Sequence, residues 1–236
     1  AAIDARLDQS LPGRLGWGMT IFLKPALIAA ATLLVACSPS TEIAPAATAI
    51  AAPEAAPAAA PADAFLAALA SHCGQAFAGR IISNEPKPTT PDSFEGKPLV
   101  MHVRGCENPN QGLRVPFHVG ADHSRTWVLT RTAEGLRLKH DHRHEDGSED
   151  VQTQYGGDTA TAGTAQRQEF PVDAESIALF GRTGSNASVT NTWAMEVQPG
   201  QRLLYELSRP GGRLFQVEFD LSQPVALPPA PWGATD

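Results

Sequence analysis

Residues 136–155 read LRLKHDHRHEDGSEDVQTQY, and the reading of the fold starts from Asp146-Gly147 at their centre. Asp-Gly between two alternating runs is a strong hairpin signal, because a type I′ turn needs positive φ at both central positions. With these two residues as the loop, Glu145 faces Ser148, His144 faces Glu149 and His142 faces Val151. His140 then faces Thr153, and Leu138 faces Tyr155. Directly opposed residues share one side of a sheet, so three histidines are expected to run along one inner face. On the other face Arg143 meets Asp150, Asp141 meets Gln152 and Lys139 meets Gln154. That face is charged and is expected to meet water. A slip of one residue would put Leu138 and Tyr155 on opposite faces, which fixes the expected register.

Working outward, the same period of two recurs. Strands are expected over 76–83, 98–106, 113–119, 126–132, 136–144, 151–156, 166–172, 189–197, 201–209 and 213–221. Turn formers separate them: Ala133-Glu134-Gly135, Asp146-Gly147, Pro199-Gly200 and Pro210-Gly211-Gly212. Two short helices interrupt the pattern. Asp63 is the expected N-cap of the first, with Phe65, Leu66, Leu69 and Cys73 at helical spacing and a stop near Gly74. Asp173 caps the second, which runs over 174–180 and stops at Gly181. The expected fold is all-β, mainly an antiparallel meander of about ten strands, barrel-like or a sandwich, with two short helices. Closure of the meander removes the exposed strand edges that an open sheet of this width would carry.

The chain before this head is of another kind. From Met19 a short start with Lys24 leads into an apolar stretch ending Leu34-Val35-Ala36-Cys37. A basic start, a short apolar core and a small residue before the cut are the parts of a secretory signal. The last four residues resemble the lipobox of bacterial lipoprotein precursors. That resemblance implies cleavage after Ala36 and diacylation of Cys37, which becomes the lipidated N-terminus, with palmitate among its acyl chains. Ser38, in place of aspartate, implies sorting to the outer membrane with the head in the periplasm.

Residues 1–18 lack an initial Met and are expected to be an upstream over-extension; 19–36 form the signal peptide. Residues 37–63 form the lipidated cysteine and its tether, since 12 of the 26 residues from Ser38 to Asp63 are Ala and 5 are Pro. Such a segment cannot bury a core and is expected to be extended. The β-rich head covers 64–221, and 222–236, with four prolines, is expected as a loose tail.

Apart from Cys37, the cysteines are Cys73 and Cys106. In an oxidising compartment they have one connectivity. Two free thiols or a reactive pair are the alternatives, and no C-x-x-C spacing favours redox chemistry.

Function is less legible. With 18 basic against 25 acidic side chains, the chain lacks the basic footprint of a nucleic-acid binder. No apolar run reaches the ~20 residues of a membrane-spanning helix. There is no G-x-S-x-G elbow, Walker loop or G-x-G-x-x-G, so no catalytic residue is assigned and enzymatic activity is left open. The histidines of 140–144 carry the candidates. His142, His144 and Glu149 form a candidate zinc site of two imidazoles and a carboxylate; His102, His118 or His123 are further donors if the fold brings them close. His140, His142 and Tyr155 are candidate linings of a ligand pocket near a barrel mouth. A hydrogen-bonded polar lining or a solvated hairpin tip without a ligand are the plain alternatives. Three function classes follow: a tethered barrel that binds a small ligand or an envelope partner, a metal-binding or metal-dependent protein, and a structural envelope lipoprotein.

Overall fold

Ten strands are joined in one sheet in the order β6-β5-β4-β3-β2-β1-β10-β9-β8-β7, every pair antiparallel. The computed structural model describes residues 59–90 and 92–234. The segments expected to be an over-extension and a signal peptide, Cys37, and most of the expected tether lie outside them. The strands are β1 (Ala76–Glu85), β2 (Leu99–His102), β3 (Gly112–Val119), β4 (Asp122–Arg131), β5 (Leu136–His142) and β6 (Tyr155–Asp158). They continue as β7 (Arg167–Pro171), β8 (Thr192–Gln198), β9 (Arg202–Arg209) and β10 (Arg213–Val225). The sheet curls into a nearly closed barrel, in which the first and last strands pair and the seam falls between β6 and β7. At the seam the Asp173 amide donates to the Gly156 carbonyl at 2.9 Å. Backbones approach so closely there that a Cβ at Gly157 would overlap the Pro171 carbonyl oxygen.

Alternation in each strand sends one set of side chains inward. Phe77, Met101, Phe117, Trp127, Trp193, Val217 and Phe219 are buried together as the core. One end is stoppered by helix α1 (Pro61–Ala70), whose Phe65, Leu66 and Leu69 are fully buried. The helix begins two residues before the expected cap. Ala60 is its N-cap, and Pro61 starts it because a missing N–H costs nothing at the first helical position. Asp63 sits in the first turn and pairs with Arg131 at 2.6 Å. Cys73, just past this helix, is bonded to Cys106 in the β2–β3 connection.

The opposite end holds helix α2 (Ala174–Thr183), in the β7–β8 connection. Asp173 caps it as expected, accepting from Ser176 N at 2.7 Å. It runs through Gly181 and ends at Gly184, whose φ of 77° is the left-handed conformation that closes helices. The tail also departs from expectation: β10 continues to Val225, and the Trp232 amide donates to the His123 carbonyl at 3.0 Å. Among the described residues no helix is long and apolar enough to cross a membrane.

The hairpin register differs most from its expectation. His140 faces Tyr155 and Leu138 faces Gly157, while near the tip Arg143 bridges Glu149. The turn spans four residues, with the Gly147 amide donating to the His144 carbonyl at 2.9 Å. Residues 151–154 leave the ladder, and Gln154 takes a φ of 57° before β6 resumes. Gln152 is drawn away to the α2 connection, donating to Thr183 and Ser185 oxygens at 2.9 and 2.6 Å. The outer face is not fully solvated either. Asp141 is 2% exposed and accepts from Arg114 at 2.7 Å and Arg143 at 3.1 Å.

Candidate functional site

The barrel end opposite α1 is open to a cavity of about 720 Å³. Small-molecule pockets typically span ~300–1,000 Å³. Antiparallel order places the β1–β2, β3–β4, β5–β6, β7–β8 and β9–β10 connections at this end; the first, third and fourth contribute to the wall, and beside the other two the strand ends at Asp122, Arg209 and Arg213 do. The floor is aromatic. Trp127 lies between Tyr205 and Phe117, with ring centroids 4.4 and 4.9 Å away. Beside them His140 stacks on Tyr155 at 4.6 Å, and Trp193 lies 5.7 Å from Tyr155. From α2, Phe180 reaches Tyr155 at 5.3 Å.

All three residues expected to line a pocket, His140, His142 and Tyr155, do line this cavity. His140 is held on both ring nitrogens. Its Nδ1 lies 3.1 Å from the Tyr155 carbonyl, which can only accept, so Nδ1 carries the proton. Nε2, 2.9 Å from the Tyr205 hydroxyl, then accepts from it. Burial, reinforced by the neighbouring His142, lowers the His140 pKa to about 3. His142 is lowered to about 4, by burial first and then by the Arg125 charge. Burial also pushes the Tyr155 hydroxyl up to about 12 and Tyr205 well above its ordinary value. The floor is thus an uncharged, hydrogen-bonded aromatic surface at neutral pH.

The expected zinc triad is not assembled. His142 Nε2 lies 3.2 Å from the Tyr155 hydroxyl, whereas Glu149 accepts from Arg143 at 3.1 Å. His144 is exposed, and its nearest acid is Asp150, at 3.9 Å. The register is the cause: Glu149 bridges Arg143 and so leaves the face on which His142 and His144 were expected to meet it. His118 and His123 pair with each other at 2.6 Å rather than joining the hairpin. Among the described residues no group of three His, Cys, Asp or Glu is placed to hold a metal ion.

The rim is cationic, although the whole chain is net −7. Arg125, Arg143, Arg182, Arg209 and Arg213 line it, against Asp122 and Asp150. Arg125 is paired with Asp122 at 2.6 Å and also lies 5.2 Å from the Phe94 ring centroid. Arg143 is paired with Asp141 and Glu149. Arg209 and Arg213 carry a local sequence signal: the three residues Pro210-Gly211-Gly212 between them set the two arginines opposite each other across a hairpin. An exposed Val151, 75% accessible, completes the mouth.

Fold and site together define a small up-and-down barrel, stoppered at one end and open at the other to an aromatic cavity. No family model, curated protein or solved structure matches this chain.

Proposed function

We propose that this protein is an envelope lipoprotein whose barrel binds a small ligand with an apolar, ring-bearing body. The open cavity of about 720 Å³ with its floor of Phe117, Trp127, Trp193 and Tyr205 carries the reading. A barrel core is ordinarily filled by side chains to crystal-like density. Here one end is filled by α1, while the other keeps room above rings that lack charge at neutral pH. Such surfaces gain affinity from stacking and from removal of apolar area from water.

Binding is tested with two fluorophores of one ring system, anilinonaphthalene sulfonate and uncharged N-phenyl-naphthylamine. Saturable one-to-one binding of at least one is expected, with quenching of tryptophan emission from Trp127, Trp193 and Trp232 at the cavity. A Leu207→Trp variant, which fills the wall between Trp193 and Phe215, is expected to lose it. Absence of saturable binding by both probes refutes the ligand reading.

The anchor is part of the same proposal. It is supported by the sequence Leu34-Val35-Ala36-Cys37 and the Ala/Pro-rich stretch that follows, which would hold the head clear of an outer-membrane surface in the periplasm. A Cys37→Ser variant, expressed with its leader, is expected to leave the membrane fraction. Retention there refutes lipid anchoring through Cys37.

A further inference from the structure

We infer that the ligand carries an anionic group, and that Arg209 and Arg213 receive it. The inference rests on the cavity being a ligand site and adds the charge of what enters it. Arg209 on β9 and Arg213 on β10 are direct cross-strand partners. Like charges directly opposite weaken a sheet, so the pairing has no evident structural benefit. Both are half-buried at the mouth.

Their protein partners are neutral. Arg209 Nε donates to Asn191 Oδ1 at 2.5 Å. Arg213 Nη1 donates to Asn84 Oδ1 at 2.7 Å and to the Glu85 carbonyl at 3.2 Å. Asp92 acts on Arg213 through space but is engaged by Asn84 Nδ2 at 2.5 Å. Among the described residues neither arginine has a carboxylate within ion-pair distance, unlike Arg125 and Arg143 on the same rim. Burial lowers the pKa of each from its ordinary value, and on Arg209 the Arg213 charge acts in the same direction. A guanidinium still stays protonated. Two partly desolvated cations therefore face an open cavity, held in place by amides that orient them without neutralising them.

The geometry also says what lies behind the charge. Leu207 and Phe215 are the next inward residues, two positions from Arg209 and Arg213 and paired with each other. Positions i and i+2 are ~7 Å apart along a strand, about the length of one aromatic ring. A carboxylate, sulfonate or phosphate in the guanidinium fork would thus put its apolar body over Leu207 and Phe215, toward Trp193 and Tyr205. The ligand class is an amphipathic anion: a ring-bearing or branched apolar body with one acidic substituent.

The same two fluorophores, titrated into the full chain and into an Arg209→Gln/Arg213→Gln variant, test this. The sulfonate is expected to bind the parent about tenfold or more tighter than the uncharged probe, as charge-assisted hydrogen bonds imply. The variant should lose that preference, keep its affinity for the uncharged probe, and unfold at no lower denaturant concentration than the parent. Equal affinity of the parent for the two probes overturns the charge assignment and leaves the cavity reading standing. A full sulfonate preference in the variant overturns the role of these two arginines. Displacement of the sulfonate by sodium sulfate at constant ionic strength would make the site one for inorganic anions, and so overturn the amphipathic assignment. Loss of both probes from the parent overturns cavity and charge together.

Discussion

Acidification from pH 7 to pH 5 is expected to remove up to about 6 kcal/mol of stability, a large part of the ~5–15 kcal/mol that holds a typical domain folded. Three histidines are the cause. His140 is lowered to about 3, and His118 and His142 to about 4, from an ordinary 6.5. Burial is the leading cause in each. For His118 the charges of His123 and His102 act in the same direction. All three are neutral in the fold and become cationic in the unfolded chain below pH 6.5.

The unfolded state then binds more protons, so stability falls as pH falls. The loss starts at 6.5 and continues to about 4 for two of the groups and about 3 for the third. Each histidine contributes about 1.4 kcal/mol per pH unit in that window. Protonating His140 would also cost it the bond from the Tyr205 hydroxyl to Nε2. Aspartates whose pKa is lowered act at lower pH. Asp122, where hydrogen bonds from Ser124 and Arg125 outweigh burial, is lowered from 3.8 to about 2, so its contribution is lost only between those values. Urea unfolding at pH 7 and pH 5 measures the effect. A His118→Gln variant should show a slope smaller by about one histidine's share. Equal stability at the two pH values would refute the buried, neutral state of these side chains.

Replacing Cys73 and Cys106 together by serine is expected to lower stability by about 3.7 kcal/mol, the loop-closure entropy for a separation of 33 residues. The bridge ties the exit of the α1 stopper to the β2–β3 connection. The surrounding backbone is already bonded, with Gly74 N to the Val103 carbonyl at 2.9 Å and Val103 N to the Gln75 carbonyl at 3.0 Å. The native geometry is therefore expected to survive the change, so the loss comes from a freer unfolded chain. Circular dichroism should be unchanged, and the urea midpoint should fall with little change in cooperativity. A loss below about 1 kcal/mol would show that the stopper is held by Phe65, Leu66 and Leu69 alone.

Nine of the ten strands were legible close to where they form, as was the second helix cap at Asp173, because alternation and turn chemistry are local; the sixth, expected over 151–156, forms instead at Tyr155–Asp158. The errors fall where distant residues intervene. Pro61 reads as a breaker in an alanine-rich stretch, yet it opens α1, since burial of Phe65, Leu66 and Leu69 in the barrel end supports a helix there. The Asp146-Gly147 signal located the hairpin but not its register, because Gln152 bonds to the α2 connection and Arg143 engages both Asp141 and Glu149. Those contacts took Glu149 away from His142 and His144 and dissolved the expected zinc triad. The pocket lining of His140, His142 and Tyr155 survived because their inward direction depends only on strand phase and on the aromatic partners behind them.

By itself the sequence determined the strand count, the all-β class, the two helical segments and the single cysteine pairing open to the head. Each follows from residue period, backbone preference or the number of thiols. Tertiary structure alone decided that β1 and β10 close the barrel, that its seam lies between β6 and β7, and that α1 stoppers one end while the other stays open. It also decided that Arg209 and Arg213 stand unneutralised above an aromatic floor. The physical reason is that closure and charge compensation depend on which distant side chains arrive at the same place. Strand alternation sets the face a residue takes, and only the closed barrel sets what that face meets.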